Sequence, residues 1–212
     1  MELFDIEIES QLIQKNGFWL DENVSVPNSS KINPGVVIER GVEIGKKVSI
    51  GYNTIIKQNT IIHNNVKIGA NCTIGAIGFG YEKDVKGSYN VIPHIGNVII
   101  SKHVEIGNNV CIDKAVLGST LIGENVKIDN LVHIAHGVKL GKNSMVIANS
   151  MIAGSVEIGS NCWISPSASI IDRISIGKDS LIGMGAVVIK DVKSNEVLIG
   201  NPAKLLKKMS NI

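Results

Sequence analysis

The sequence predicts an all-β fold, a parallel β-helix made of hexapeptide repeats with about eight coils, and three observations carry that prediction. Eight isoleucines stand six residues apart without a miss, at Ile32, Ile38, Ile44, Ile50, Ile56, Ile62, Ile68 and Ile74, and the same ruler runs again from Ile122 to Val188. Three places after the aliphatic, Asn or Gly recurs, as at Gly35, Asn53, Asn59, Asn125 and Gly137. Four places after it comes a small or β-branched residue such as Val42, Thr54, Val66, Cys72 or Val132.

A period of six fits neither a 3.6-residue helix nor a plain two-residue strand, so each hexad is one short strand plus one turn. Asn and Gly tolerate positive φ, which locates the turn. The small residue then forms a second inward position beside each corner. Three hexads per coil stack neighbouring coils roughly 4.8 Å apart, giving a triangular prism about 38 Å long. Each buried isoleucine contributes about 1.5–3 kcal/mol, ample core for a chain with few aromatics. Spacing leaves the hand of the coil open, and the general preference for right-handed crossovers would point to a right-handed one.

Residues 1–22 lie outside the ruler; FDIEI is expected as a strand and ESQLIQKN as a short helix ending near Gly17. The β-helix is expected over residues 23–192, uninterrupted from Val26 to Gly75. Residues 76–97 cannot be hexads, and they hold Phe79, Tyr81, Tyr89, Pro93 and His94. A loop of that length in a compact solenoid is functional or disordered, and its aromatic content argues against disorder. Coils resume at Ile100, Ile106 and Ile112, after which DKAVLGST bulges from the wall. Residues 193–212 read as a proline-marked turn and a short basic amphipathic helix.

With 212 residues, 44% hydrophobic, and a net charge of +2, the chain reads as one soluble unit. Dispersed lysines and few aromatics argue against a nucleic-acid partner. The acidic opening MELFDIEIES has no apolar stretch, so neither a signal peptide nor membrane insertion is expected, and a cytoplasmic location follows. Cys72, Cys111 and Cys162 form no CxxC pair, and Cys72 and Cys162 fall at the small inward position as core residues.

His133 and His136 bracket Ile134. Because Ile134 points inward, His133 points out and His136 sits at a corner. Eighteen residues beyond His136 is Gly154, one coil along on the same edge, about 4.8 Å away. A base beside a bare backbone amide suits acyl transfer, since the base takes a proton from the nucleophile and the N–H steadies the oxyanion. Solvated histidines and a plain turn glycine remain the alternative.

The stretch from Thr73 to Gly159, with TIGAIGFGYEKD, NVIPHIGNVII, VEIGNNVCID, STLIGENVKIDNLVHIAHGVKLG and IAGSVEIG, resembles the UDP-3-O-acylglucosamine N-acyltransferases of lipid A synthesis. The tail GMGAVVIKDVKSNEVLIGNPAKLLKK is similar instead to acyl-CoA-dependent hexapeptide acetyltransferases acting on sugars. Both are left-handed β-helix acyltransferases, so the resemblance implies a left-handed coil and a homotrimer with active sites between subunits. It also implies residue roles: His136 as catalytic base, His133 as its support, and Gly154 as oxyanion amide. Gly154, Ser155, Lys190 and Lys204 match the path of acyl-CoA, a co-substrate, with no metal and no permanently bound cofactor. Phe79, Tyr81, His94 and Asn130 are the candidates for contacting a nucleotide sugar.

The lipid A enzymes carry a sizeable uridine-binding domain before the coils and a longer helical tail after them, and the pattern here is shorter at both ends. The expected function is therefore transfer of an acetyl or short 3-hydroxyacyl group from acyl-CoA to the amino group of a nucleotide-linked sugar. A dTDP-linked amino-dideoxy sugar is expected, as for the small anthrose- or viosamine-type enzymes, with the lipid A enzyme as the alternative. A zinc enzyme of the γ-carbonic-anhydrase kind needs histidines five apart, whereas HIAH spaces them by three. A non-catalytic scaffold would want a repeated outward ladder, and the outward positions here are mixed.

Overall fold

Each undisturbed hexad is a two-residue strand and a turn, as in Lys127–Ile128, His133–Ile134 and Lys139–Leu140. The computed structural model describes residues 10–208, so the FDIEI strand lies outside the described residues. At the turn places Gly35, Asn53, Asn59, Asn125 and Gly137, φ is 76°, 56°, 60°, 58° and 71°. Lys47, Leu131 and Arg173 take the same left-handed conformation at the same phase of the repeat. A side chain is strained there, so the stacking of coils, not local preference, imposes the turn.

The strands assemble into three parallel faces of a left-handed β-helix. The first runs from Phe18–Asp21 to Val187–Val188, the second from Glu43–Ile44 to Ser175–Ile176, and the third from Lys31–Ile32 to Glu196–Ile199. The first and third each count ten strands, one of them an antiparallel strand at an end, which leaves nine parallel rungs where eight coils were expected. The added rung comes from the ends, where Phe18, Leu20, Val197 and Leu198 fill the core without an isoleucine ruler.

Successive rungs pair eighteen residues apart, 38 across the inserted loop, 22 across the second break and 16 at the last rung, and across both breaks the inward isoleucines Ile74, Ile112 and Ile134 stay in register. Inside, isoleucines from Ile38 to Ile182 form one continuous apolar column. Thr54 and Ser144 stand among them fully buried, each hydroxyl donating to a backbone carbonyl of a later turn, Gly69 at 2.8 Å and Gly159 at 3.0 Å. Buried hydroxyls are tolerated on that condition.

Both short helices expected outside the coils are corrected to strands. Leu12–Lys15 folds back antiparallel on Phe18–Asp21, and Lys204–Lys208 folds back on Glu196–Ile199. Each covers the open edge of a sheet, whose unpaired N–H and C=O groups outweigh a modest helix propensity. No α-helix occurs among the described residues, and none is long and apolar enough to cross a membrane. The inserted loop leaves the wall after Thr73–Ile77, forms a hairpin of Tyr81–Lys83 with Tyr89–Val91, and returns at Asn97–Ile100.

Candidate active site

His133–Ile134 lies in the first face between Cys111–Lys114 and Met151–Ile152. Ile134 is fully buried, which turns His133 outward and leaves His136 at the corner where the chain bends to the second face. The register Ile134, Ile152, Ile170, Val188 stacks His136, Gly154, Asp172 and Lys190 on that corner at intervals of about 4.8 Å.

The imidazole of His136 is held between two glycines. A Cβ at Gly154 would fall 2.6 Å from His136 Cε1 and 2.7 Å from Nε2. On the other side, a Cβ at Gly78 would fall 2.9 Å from His136 Cβ and Cδ2. The backbone carbonyl of His136 accepts from Ser155 N–H at 2.9 Å, and that of Gly154 from Arg173 N–H at 2.9 Å. Among the described residues the N–H of Gly154 donates to none. At two earlier rungs of this corner the equivalent amide is capped, Arg40 N–H donating to Ser10 Oγ at 2.9 Å and Gln58 N–H to Glu39 Oε2 at 3.2 Å. An uncapped, pre-aimed amide beside an imidazole can stabilise an oxyanion while the ring takes a proton.

The inserted loop supplies the wall behind this ring. His94 is only 4% exposed, and its ring meets that of His136 edge-on, with centroids 5.2 Å apart and planes at 83°. Its Nδ1 lies 2.7 Å from the Ile92 carbonyl, which can only accept, so Nδ1 carries a hydrogen. Burial, and then His94, hold the His136 pKa below its ordinary value of 6.5, with Asp113 opposing. His136 is thereby kept neutral and able to accept a proton.

Asp113 is 5% exposed, with Oδ2 3.6 Å from His133 Nε2 and Oδ1 3.6 Å from Cys111 Sγ. Burial raises its pKa, and His133 works in the opposite direction. The Cys111 thiol is pushed up to about 12, first by burial and then by Asp113. Thr120, fully buried, ties this strand to the His136 corner: its hydroxyl donates to the Asp113 carbonyl at 2.7 Å and accepts from Gly137 N–H at 2.8 Å.

Asp113, His133, His136 and Gly154 line a groove of about 940 Å³, bounded also by Phe79, Tyr81, Leu117, Met151, Ser155 and Arg173. Phe79 is 87% exposed and lies against Tyr81 with ring centroids 4.9 Å apart. His94 stands behind the groove wall. Asn130 is at another corner, its Oδ1 accepting from Asn108 N–H at 2.7 Å. Lys190 is exposed on the His136 corner three coils along, about 14 Å away, and Lys204 is exposed on the terminal strand. Sequence reasoning missed Gly78, Asp172 and Arg173 and gave Asp113 no role. Counting by eighteen from His136 through Gly154 reaches Asp172 and would have found it, whereas Gly78 arrives by way of the loop, which no spacing predicts.

The chain matches the family described as bacterial transferase hexapeptide (six repeats) over residues 41–76, 119–154 and 155–190. It is 53% identical over 75 residues to a UDP-3-O-acylglucosamine N-acyltransferase of Cytophaga hutchinsonii, covering 35% of this chain and 22% of that protein. It is 52% identical over 131 residues to the protein of the same name from Caulobacter vibrioides, covering 62% of this chain and 38% of the other. The chain thus spans less than two fifths of the length of these relatives. Among solved structures, the UDP-N-acetylglucosamine acyltransferase from Campylobacter jejuni superposes with a TM-score of 0.78 at 21% identity, over 92% of this chain and 74% of that one. That of Francisella novicida gives 0.62 at 26% identity, over 84% and 66%.

Proposed function

The chain belongs to the bacterial transferase hexapeptide family, and from that membership we propose that it is an acyltransferase acting on the amino group of a nucleotide-linked amino sugar. The observation that carries the reading is the imidazole of His136 flush against the free amide of Gly154. The neutral amine attacks the thioester carbonyl, and the developing oxyanion accepts from Gly154 N–H. His136 takes the proton that the amine sheds. Collapse of the tetrahedral intermediate breaks the C–S bond, and the proton leaves with the thiolate or to solvent. An amine is already a competent nucleophile, so the base contributes about tenfold to a hundredfold.

The relatives from Cytophaga hutchinsonii and Caulobacter vibrioides are named for a UDP-linked 3-O-acylglucosamine, which favours that acceptor class over the dTDP-linked amino-dideoxy sugar expected from the tail. Phe79 and Tyr81 offer aromatic faces for the base, and Arg173 a cation for the diphosphate. Acyl-CoA as donor rests on Ser155, Lys190 and Lys204, with Lys190 exposed along the His136 corner. A homotrimer would close the groove, and Met151, Trp163 and Ile171 are exposed apolar residues suited to a subunit contact.

Purified protein incubated with UDP- and dTDP-linked amino sugars and with acetyl-, 3-hydroxybutyryl- and long-chain acyl thioesters of CoA and of acyl carrier protein tests this by mass spectrometry. The expected product gains one acyl group and resists hydroxylamine, as an amide does. A hydroxylamine-labile ester, or no transfer to any amine, overturns the assignment.

A further inference from the structure

Cys111, Asp113 and His133 bring a thiol, a carboxylate and an imidazole together, the last two on the wall of the groove. Cys111 and His133 are partners in adjacent rungs, and Asp113 follows Cys111 by two residues, so the alternation of the strand turns all three side chains to the same side. Their ligating atoms all lie within 4.8 Å of one another. Sγ of Cys111 and Nε2 of His133 are each 3.6 Å from an Asp113 oxygen. Ordinary zinc–ligand bonds of 2.0–2.3 Å in a tetrahedron separate the ligand atoms by about 3.3–3.6 Å. The two 3.6 Å distances end on different oxygens, Oδ1 for Cys111 and Oδ2 for His133, so with either oxygen as the ligand one edge of that tetrahedron is in place and the other two need a contraction of at most about 1.5 Å.

The other two cysteines show what a thiol does here when it is only core. Cys72 and Cys162 are buried, and their Sγ atoms donate to the backbone carbonyls of Gly107 at 3.1 Å and Gly177 at 3.2 Å. Cys111 faces outward to a buried carboxylate instead. The partner of Asp113 in the preceding rung is Ala76, which carries no competing polar group.

We propose that Cys111, Asp113 and His133 form a binding site for a borderline divalent transition-metal ion of the zinc class, with the fourth coordination position facing the groove. Sulfur and nitrogen donors exclude a calcium- or magnesium-type site, which takes oxygen ligands. Asp113 and His133 both line the groove, so the open position points to solvent and substrate space. Binding replaces the Cys111 thiol proton by a metal–sulfur bond and releases that proton to solvent. All three ligands come from one chain, unlike a zinc centre shared by histidines of two subunits. The inference is independent of the acyl-transfer reading, because its readout is spectroscopic.

The test is titration of the tag-free, full-length protein with Co²⁺, followed by competition with Zn²⁺. One equivalent is expected to bind with a thiolate-to-cobalt charge-transfer band that Zn²⁺ abolishes. Cys111→Ser should lose the band, and Asp113→Asn and His133→Gln should weaken binding by about tenfold or more, with thermal melting reporting that each variant is folded. No stoichiometric uptake by the wild-type protein overturns the proposal. So does a band that persists in Cys111→Ser.

Discussion

A methyl group at position 154 would occupy space already taken by the His136 ring, and that is the tightest constraint at the site. The backbone of Gly154 is not in the left-handed region, so alanine fits the chain and only the flexible imidazole must move. Gly154→Ala should therefore lower kcat/KM by about tenfold to a hundredfold with a nearly unchanged melting temperature, checked by steady-state assay and calorimetry. His94 gives a second prediction. His136 acts as a base when neutral, so kcat/KM rises with pH through its pKa, which burial and His94 depress. His94→Gln should move that acid limb to higher pH, and an NMR titration of the His136 ring should move with it. His136 and Gly154 were legible because eighteen-residue counting places them at one corner, and His133 because it flanks the inward Ile134. The burial of His94 and Asp113 was not legible, because it depends on a loop that returns over the wall and on no local spacing.

At the scale of the coil, glycines one place after the aliphatic have a different task from Gly154. Gly141, Gly159 and Gly177 face the next coil so closely that a Cβ would fall 2.4, 2.5 and 2.3 Å from its backbone atoms. Backbone cannot swing aside as an imidazole can. Gly159→Ala should thus destabilise the protein by about 1–3 kcal/mol, read as a lower urea midpoint, with little change in kcat for the protein that remains folded. The strand and turn phases were readable from the isoleucines and from Asn and Gly at the corners. Left-handed Lys47, Leu131 and Arg173 were not, since nothing in their chemistry asks for positive φ. Neither was the terminal strand Lys204–Lys208, because its pairing is set by the exposed edge of Glu196–Ile199 that it folds back on and not by a pattern of its own.

For the whole molecule, the groove is open on one side and several apolar side chains stand exposed, Trp163 at 43% among them. Sedimentation should give a mass near three times the 22.7 kDa of one chain; a monomer that still turns over at full rate would remove the neighbour from the active site. The count of coils was the part of the architecture least readable in advance, because the end rungs are closed by Phe18, Leu20, Val197 and Leu198. The corner joining His136 to Gly154 stands whatever the sugar, the donor or the number of subunits. Its role is tested most directly by the single-turnover rate of amide formation in His136→Asn with donor and acceptor saturating. The rate should fall by about tenfold to a hundredfold, whereas a rate within about threefold of the wild-type protein would contradict the assignment of His136 as the base.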